Sequence, residues 1–255
     1  MAYPTASGSA IALPANPVTE ERLRWVDLLP VLIFTVAGII LIFAALAGLA
    51  RSNRAFYRAN LETISLLTIL AVYLAVGAGL AVALRRLRSP LVFLGLRWPT
   101  LRDLGLTLLL FLPWYLGIIL VSALSAIVFN GGQVVPSNTR LVFIQRPNGI
   151  GILLLALVVT AVAAPVCEEI FFRGMLFRLL RRRMVLWAAV AVSALAFALA
   201  HASPAVSLAL LPSFTYMGVV LALVYVRAGW LTNSTLLHGM NNALVTVLAF
   251  SLAAR

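Results

Sequence analysis

Twenty-one consecutive residues, Leu29 to Leu49, carry no ionisable side chain, and apolar runs of similar length recur along the chain. A helix of about 20 such residues rises about 30 Å, the thickness of a bilayer's hydrocarbon core. Hydrophobic residues make up 63% of the 255 and charged ones 10%, and the mean hydropathy is +1.08. A soluble domain is about half apolar and a quarter charged, so no soluble fold of this length buries so much apolar surface. In lipid every backbone polar group needs an internal partner, which leaves helices or a closed barrel. The runs are continuous rather than alternating, and this excludes the barrel. The expected fold is therefore all-α, a polytopic transmembrane helical bundle.

Seven spans are expected, at Leu29–Leu49, Ile64–Leu84, Leu104–Phe129, Gly149–Leu180, Val185–His201, Ala205–Val226 and Trp230–Leu252. The fourth is too long for a simple crossing. Tilt, a kink at Pro165, or a split into two helices would each accommodate it, the last giving eight helices. Residues 1–25 are expected to form a flexible N-terminal tail, small, polar and Pro-containing, without the basic start of a signal peptide. Residues 26–255 are expected to form a single integral membrane domain. Gly131–Gly132 and the stretch Pro136 to Pro147 mark a polar loop.

The net charge of +12 comes from Arg alone. These residues sit in short clusters between apolar runs, as topology signals do, so nucleic acid is not expected as a partner. With the N-terminus cytoplasmic, twelve arginines fall on that side (22, 24, 85, 86, 88, 97, 102, 178, 181, 182, 183 and 227) and six on the other (51, 54, 58, 140, 146 and 255). That ratio favours a cytoplasmic N-terminus. The Arg181–Arg183 run reads as a membrane-surface anchor. Cys167, the single cysteine, rules out a disulfide framework within the chain and reads as packing.

Five of the seven acidic residues, Glu20, Glu21, Asp27, Glu62 and Asp103, fall in the tail, in loops or at span ends. The other two, Glu168 and Glu169, are adjacent within an apolar helix, where an ionisable group is costly and points to function. Arg173 lies four residues after Glu169, on the same helix face, and is expected to pair with it. Glu168 points about 100° away and is left as the candidate acid or base. The two histidines also sit in apolar spans, His201 four residues after Phe197 and His238 four before Asn242. Asn241 does not share the His238 face. Measured from the Arg181–Arg183 end at 1.5 Å per residue, Glu168 lies about 20 Å deep, His201 about 25 Å, His238 about 14 Å and Asn242 about 20 Å. The overlap in depth suggests one polar site. Such a set supports hydrolysis without a covalent intermediate: Glu168, with His201, would take a proton from water, while His238 and Asn242 would donate to an oxyanion. It also supports a metal site, for His and Glu are ordinary zinc ligands. No H-E-x-x-H, intramembrane Asp or G-x-S-x-G is present, which sets aside other intramembrane protease chemistries.

These three pieces, E-E-x-x-x-R at Glu168, Glu169 and Arg173, F-x-x-x-H at Phe197 and His201, and H-x-x-x-N at His238 and Asn242, resemble the CAAX protease and bacteriocin-processing (CPBP, or Abi) family of intramembrane endopeptidases. The resemblance covers about 149–255, which would be the protease core. It implies a glutamate-dependent protease in which Glu168 and His201 activate water, His238 and Asn242 stabilise the oxyanion, and Glu169, Arg173 and Phe197 support them. It implies no cofactor in the metal-free version, and zinc or another divalent ion on Glu168, His201 and His238 in the alternative. The expected partners are the lipid bilayer and a membrane-associated protein or peptide substrate, and the expected location is a bacterial inner membrane. Two other functions stay open: a non-catalytic peptide-binding or bacteriocin-immunity protein of the same fold, and a proton-coupled transporter using Glu168 and the histidines as a relay.

Overall fold

The computed structural model describes residues 23–133, 149–202 and 208–253. The Pro136 to Pro147 loop and residues 1–22 of the tail lie outside these. Among the described residues there are nine helices and no strand: α1 (Leu29–Ser52), α2 (Arg54–Ala59), α3 (Leu61–Leu84), α4 (Pro90–Leu94), α5 (Leu101–Asn130), α6 (Ile150–Arg181), α7 (Leu186–Ala200), α8 (Leu211–Ala228) and α9 (Leu231–Ala253). Six helical stretches are long and apolar enough to cross a membrane: Trp25–Ser52, Leu61–Leu84, Leu101–Phe129, Ile150–Arg181, Leu208–Ala228 and Leu231–Leu252. Their apolar side chains are largely exposed, Ile40, Leu41 and Phe43 on α1 and Leu108, Leu109 and Leu112 on α5 among them. In water that would be untenable, whereas in lipid it is the solvated face. The protein is a multi-pass membrane protein. The seventh apolar helix, α7, has 15 residues and rises only about 22 Å.

The fourth apolar stretch is one continuous helix, not two. Along it the hydrogen-bond register changes twice. Val158–Ala163 and Ile170–Phe177 are π-helical and bracket an α-helical segment, Ala164–Glu169, that contains Pro165 and both adjacent glutamates. Such π segments inside α-helices cluster at functional sites.

The chain divides into two compact units. One comprises Val26–Arg86, 149–168 and 238–253 of the described residues. Here α1 and α3 run in close contact because small residues face the partner backbone. A Cβ on Gly79 would stand 2.7 Å from Val31 Cα, and one on Gly38 would stand 2.6 Å from Ala75 Cβ. Small residues at such points let helices in lipid gain van der Waals packing where no hydrophobic force joins them. Arg86 pairs with Asp27 at one end of the α1–α3 pair.

The other unit comprises 23–25, 87–133, 169–202 and 208–237 of the described residues. Its core gathers Trp114, Phe172, Phe197, Met217, Leu221, Val224 and Leu237. Thr100 and Asp103 form a reciprocal capping box that starts α5, satisfying two of the orphan donors at its N-terminus. Asp103 also accepts from Arg97 and Asn233, which anchors the start of α9. Gly229 ends α8 at φ +78°, a left-handed conformation open to glycine without strain.

Candidate active site

Glu168 ends the first unit's share of α6, and its two carboxylate oxygens meet different neighbours. Oε1 accepts a hydrogen bond from the Tyr73 hydroxyl of α3. Oε2 lies 3.8 Å from His238 Nε2, outside direct hydrogen-bonding distance. The Glu168 side chain is 12% exposed and that of His238 2%. Beside them the Cys167 thiol donates to Tyr73 O at 3.6 Å, so two successive residues of α6 contact the same tyrosine.

Asn242 lies one turn beyond His238 on α9, where its Nδ2 donates to Thr160 O at 2.8 Å and its Oδ1 accepts from Asn241 Nδ2 at 3.2 Å. The backbone of α6 explains why that carbonyl needs a donor. In the π register the Ala164 N–H bonds to Val159 O, so the next amide would bond to Thr160 O. Residue 165 is proline and has no N–H. The Asn242 amide takes the place of the missing donor. One position along, a Cβ on Gly239 would stand 2.6 Å from Ala161 O, so α9 meets α6 backbone to backbone here. Thr160 and Thr246 hydroxyls join at 2.8 Å and complete the contact.

The second unit holds the other motif residues. Glu169 and Arg173, both 0% exposed, pair at 2.8 Å. Arg173 also donates to Gly218 O at 3.1 Å, and its guanidinium lies over the Phe197 ring at 4.6 Å from the centroid. Gly218 permits this because α7 and α8 approach so closely that a Cβ there would stand 2.8 Å from Ala194 Cα. His201 closes the C-terminal end of α7, with Nδ1 2.8 Å from Phe197 O. A carbonyl only accepts, so Nδ1 carries a proton in this contact. Phe197 and Phe214 flank the imidazole, each 4.5 Å away between ring centroids.

Within the first unit, then, the structure brings Glu168 to His238 and engages Asn242 with the backbone of α6. Within the second it joins Glu169, Arg173, Phe197 and His201 through shared contacts. Tyr73 was not singled out by sequence reasoning; a phenol in an apolar span reads as packing unless its hydroxyl is asked for a partner. Glu168 and His238 are two donors of a zinc-binding type, but structural zinc needs four and catalytic zinc three. Among the described residues, no group of three or more His, Cys, Asp or Glu is gathered to hold a metal.

Residues 150–244 match the Rce1-like family, described as type II CAAX prenyl endopeptidase Rce1-like. An Escherichia coli protein described as an uncharacterized 24.3 kDa protein is 26% identical over 156 residues, covering 60% of this chain and 67% of the relative. No solved structure matches the chain.

Proposed function

We propose that this chain, whose residues 150–244 match the Rce1-like family, is an intramembrane endopeptidase that hydrolyses a peptide bond with water activated by Glu168. The observation that carries this reading is the placement of Glu168 Oε2 3.8 Å from His238 Nε2, within an apolar helix. A water between the two atoms is within reach of a base on one side and an imidazole on the other.

In the reaction, Glu168 takes one proton from the water as its oxygen adds to the substrate carbonyl carbon. The resulting oxyanion accepts from His238, and the second N–H of the Asn242 amide contributes as well, the first being held by Thr160 O. Collapse breaks the C–N bond, and Glu168 returns its proton to the leaving amine. The family motif assigns His201 to water activation, and this part rests on that resemblance. Glu169 and Arg173 hold the helix carrying the base rather than react. The substrate is a membrane-associated protein or peptide in a bacterial inner membrane, and the arginine distribution favours a cytoplasmic N-terminus.

The test is proteolysis by purified protein in liposomes against lipidated and unlipidated peptides. Glu168→Gln, His238→Ala and His201→Ala are expected to lose at least 100-fold in kcat/KM while folding normally, on the order of one lost acid–base group. Wild-type activity is expected to be indifferent to chelator. Cleavage that survives Glu168→Gln would sink the mechanism, and no cleavage by folded wild type would sink the activity.

A further inference from the structure

Beyond the first turn of α3, which holds Thr63, hydroxyls lie at three positions, Ser65, Thr68 and Tyr73. The first two return to their own helix, Ser65 to Leu61 O and Thr68 to Ile64 O, as short hydroxyls in apolar helices do. Tyr73 differs: its hydroxyl leaves α3 altogether and donates to Glu168 Oε1. We propose that Tyr73 is a positioning residue for the reaction at Glu168, holding Oε1 so that Oε2, the oxygen on the His238 side, is the one that takes and returns the proton. This rests on the reading of Glu168 as the base. Tyr73 lies outside the segment 150–244 matched to the family, so the family match gives it no role.

A glutamate has three rotatable bonds and two chemically equivalent oxygens. Left to itself, its carboxylate samples several rotamers, and either oxygen can face the water. A donor on one oxygen removes both freedoms at once, which is the general requirement for a group that must be in place before the substrate arrives. The donor is itself well placed. Tyr73 O accepts from the Cys167 thiol at 3.6 Å, so the backbone of the tyrosine and its side-chain tip touch successive residues of α6. A phenol is also a suitable donor chemically, since it stays protonated at neutral pH and gives its one hydrogen to the carboxylate.

A structural role for the hydroxyl and a positioning role differ in what they change. In Tyr73→Phe the ring and its packing remain and only the donor is lost. The expected result is a kcat about tenfold lower with KM within twofold of wild type, because the loss falls on the transition state and not on substrate binding. A second readout needs no substrate. The infrared carboxylate bands of Glu168, identified as those missing from Glu168→Gln, are expected to move in Tyr73→Phe. Wild-type kcat in folded Tyr73→Phe, or a raised KM with kcat unchanged, would overturn the inference even if Glu168→Gln is inactive and the proposed function stands. Carboxylate bands unmoved by the substitution would overturn it as well. Activity that persists in Glu168→Gln would instead remove the base itself, and the role of Tyr73 with it.

Discussion

Replacing Arg173 by Met should separate two parts of a buried ionic contact. Arg173 and Glu169 are both fully buried and pair at 2.8 Å, yet they sit four residues apart on one helix. When the helices of a membrane protein come apart, α6 itself stays helical, so this pair survives in the separated state and contributes little to association. What separation breaks is the Arg173 hydrogen bond to Gly218 O on α8 and the contact of its guanidinium with Phe197 on α7. A hydrogen bond across helices in lipid contributes about 0.6–1.7 kcal/mol, and a desolvated cation–π contact about 2 kcal/mol. Arg173→Met should therefore cost about 3 kcal/mol, with an added penalty for the Glu169 carboxylate now buried without its cation. Glu169→Gln keeps a neutral acceptor but leaves the buried Arg173 guanidinium without its counter-ion, so it should cost about 3–5 kcal/mol. The double substitution should recover about 1–2 kcal/mol relative to Arg173→Met alone, because the stranded charge is gone. Reversible unfolding in mixed micelles, followed by circular dichroism across the four proteins, measures each quantity. A loss under about 0.5 kcal/mol in Arg173→Met, or costs that simply add in the double variant, would refute the reasoning.

Gly239→Ala puts a methyl group 2.6 Å from the backbone oxygen of Ala161. It should destabilise by about 1–3 kcal/mol, read in the same unfolding assay. Asn242→Leu orphans Thr160 O at a similar cost of about 1–3 kcal/mol; adding Pro165→Ala restores an amide donor within α6 and should recover part of that loss, whereas no recovery would mean that the carbonyl finds another partner. Fusions of a reporter to the N-terminus should report it on the cytoplasmic side, and neutralising Arg181, Arg182 and Arg183 together should weaken that preference, as a charge-counting rule requires.

The apolar runs were legible because a membrane span writes its length directly in composition. The Glu169–Arg173 spacing is likewise local, four residues on one helix, where sequence separation and spatial separation coincide. The contact of Tyr73 with Glu168 spans 95 residues, and nothing in an apolar span says which way a phenol points. Pro165 flagged an irregularity in α6 without revealing its kind. Tilt, kink and split all answer the same length problem, whereas the two π segments of α6 depend on hydrogen-bond register, which hydropathy does not encode. The engagement of Asn242 with Thr160 O follows from that register and was invisible for the same reason. His201 and Phe197 share a helix turn in the sequence, but the carbonyl that meets the imidazole Nδ1 is a matter of side-chain rotation.

The missing amide at Pro165 also carries information about assembly. Inside a bilayer, two apolar helices can slide past one another with little change in burial, since lipid and neighbour solvate their side chains alike. An unsatisfied carbonyl breaks that degeneracy. Shifting α9 by one residue along α6, about 1.5 Å, would withdraw the Asn242 amide from Thr160 O and carry Gly239 away from Ala161 O, setting a bulkier residue against that backbone. One alignment satisfies both demands, so the position at which His238 stops beside Glu168 is dictated from a turn away by a bond that α6 cannot make for itself.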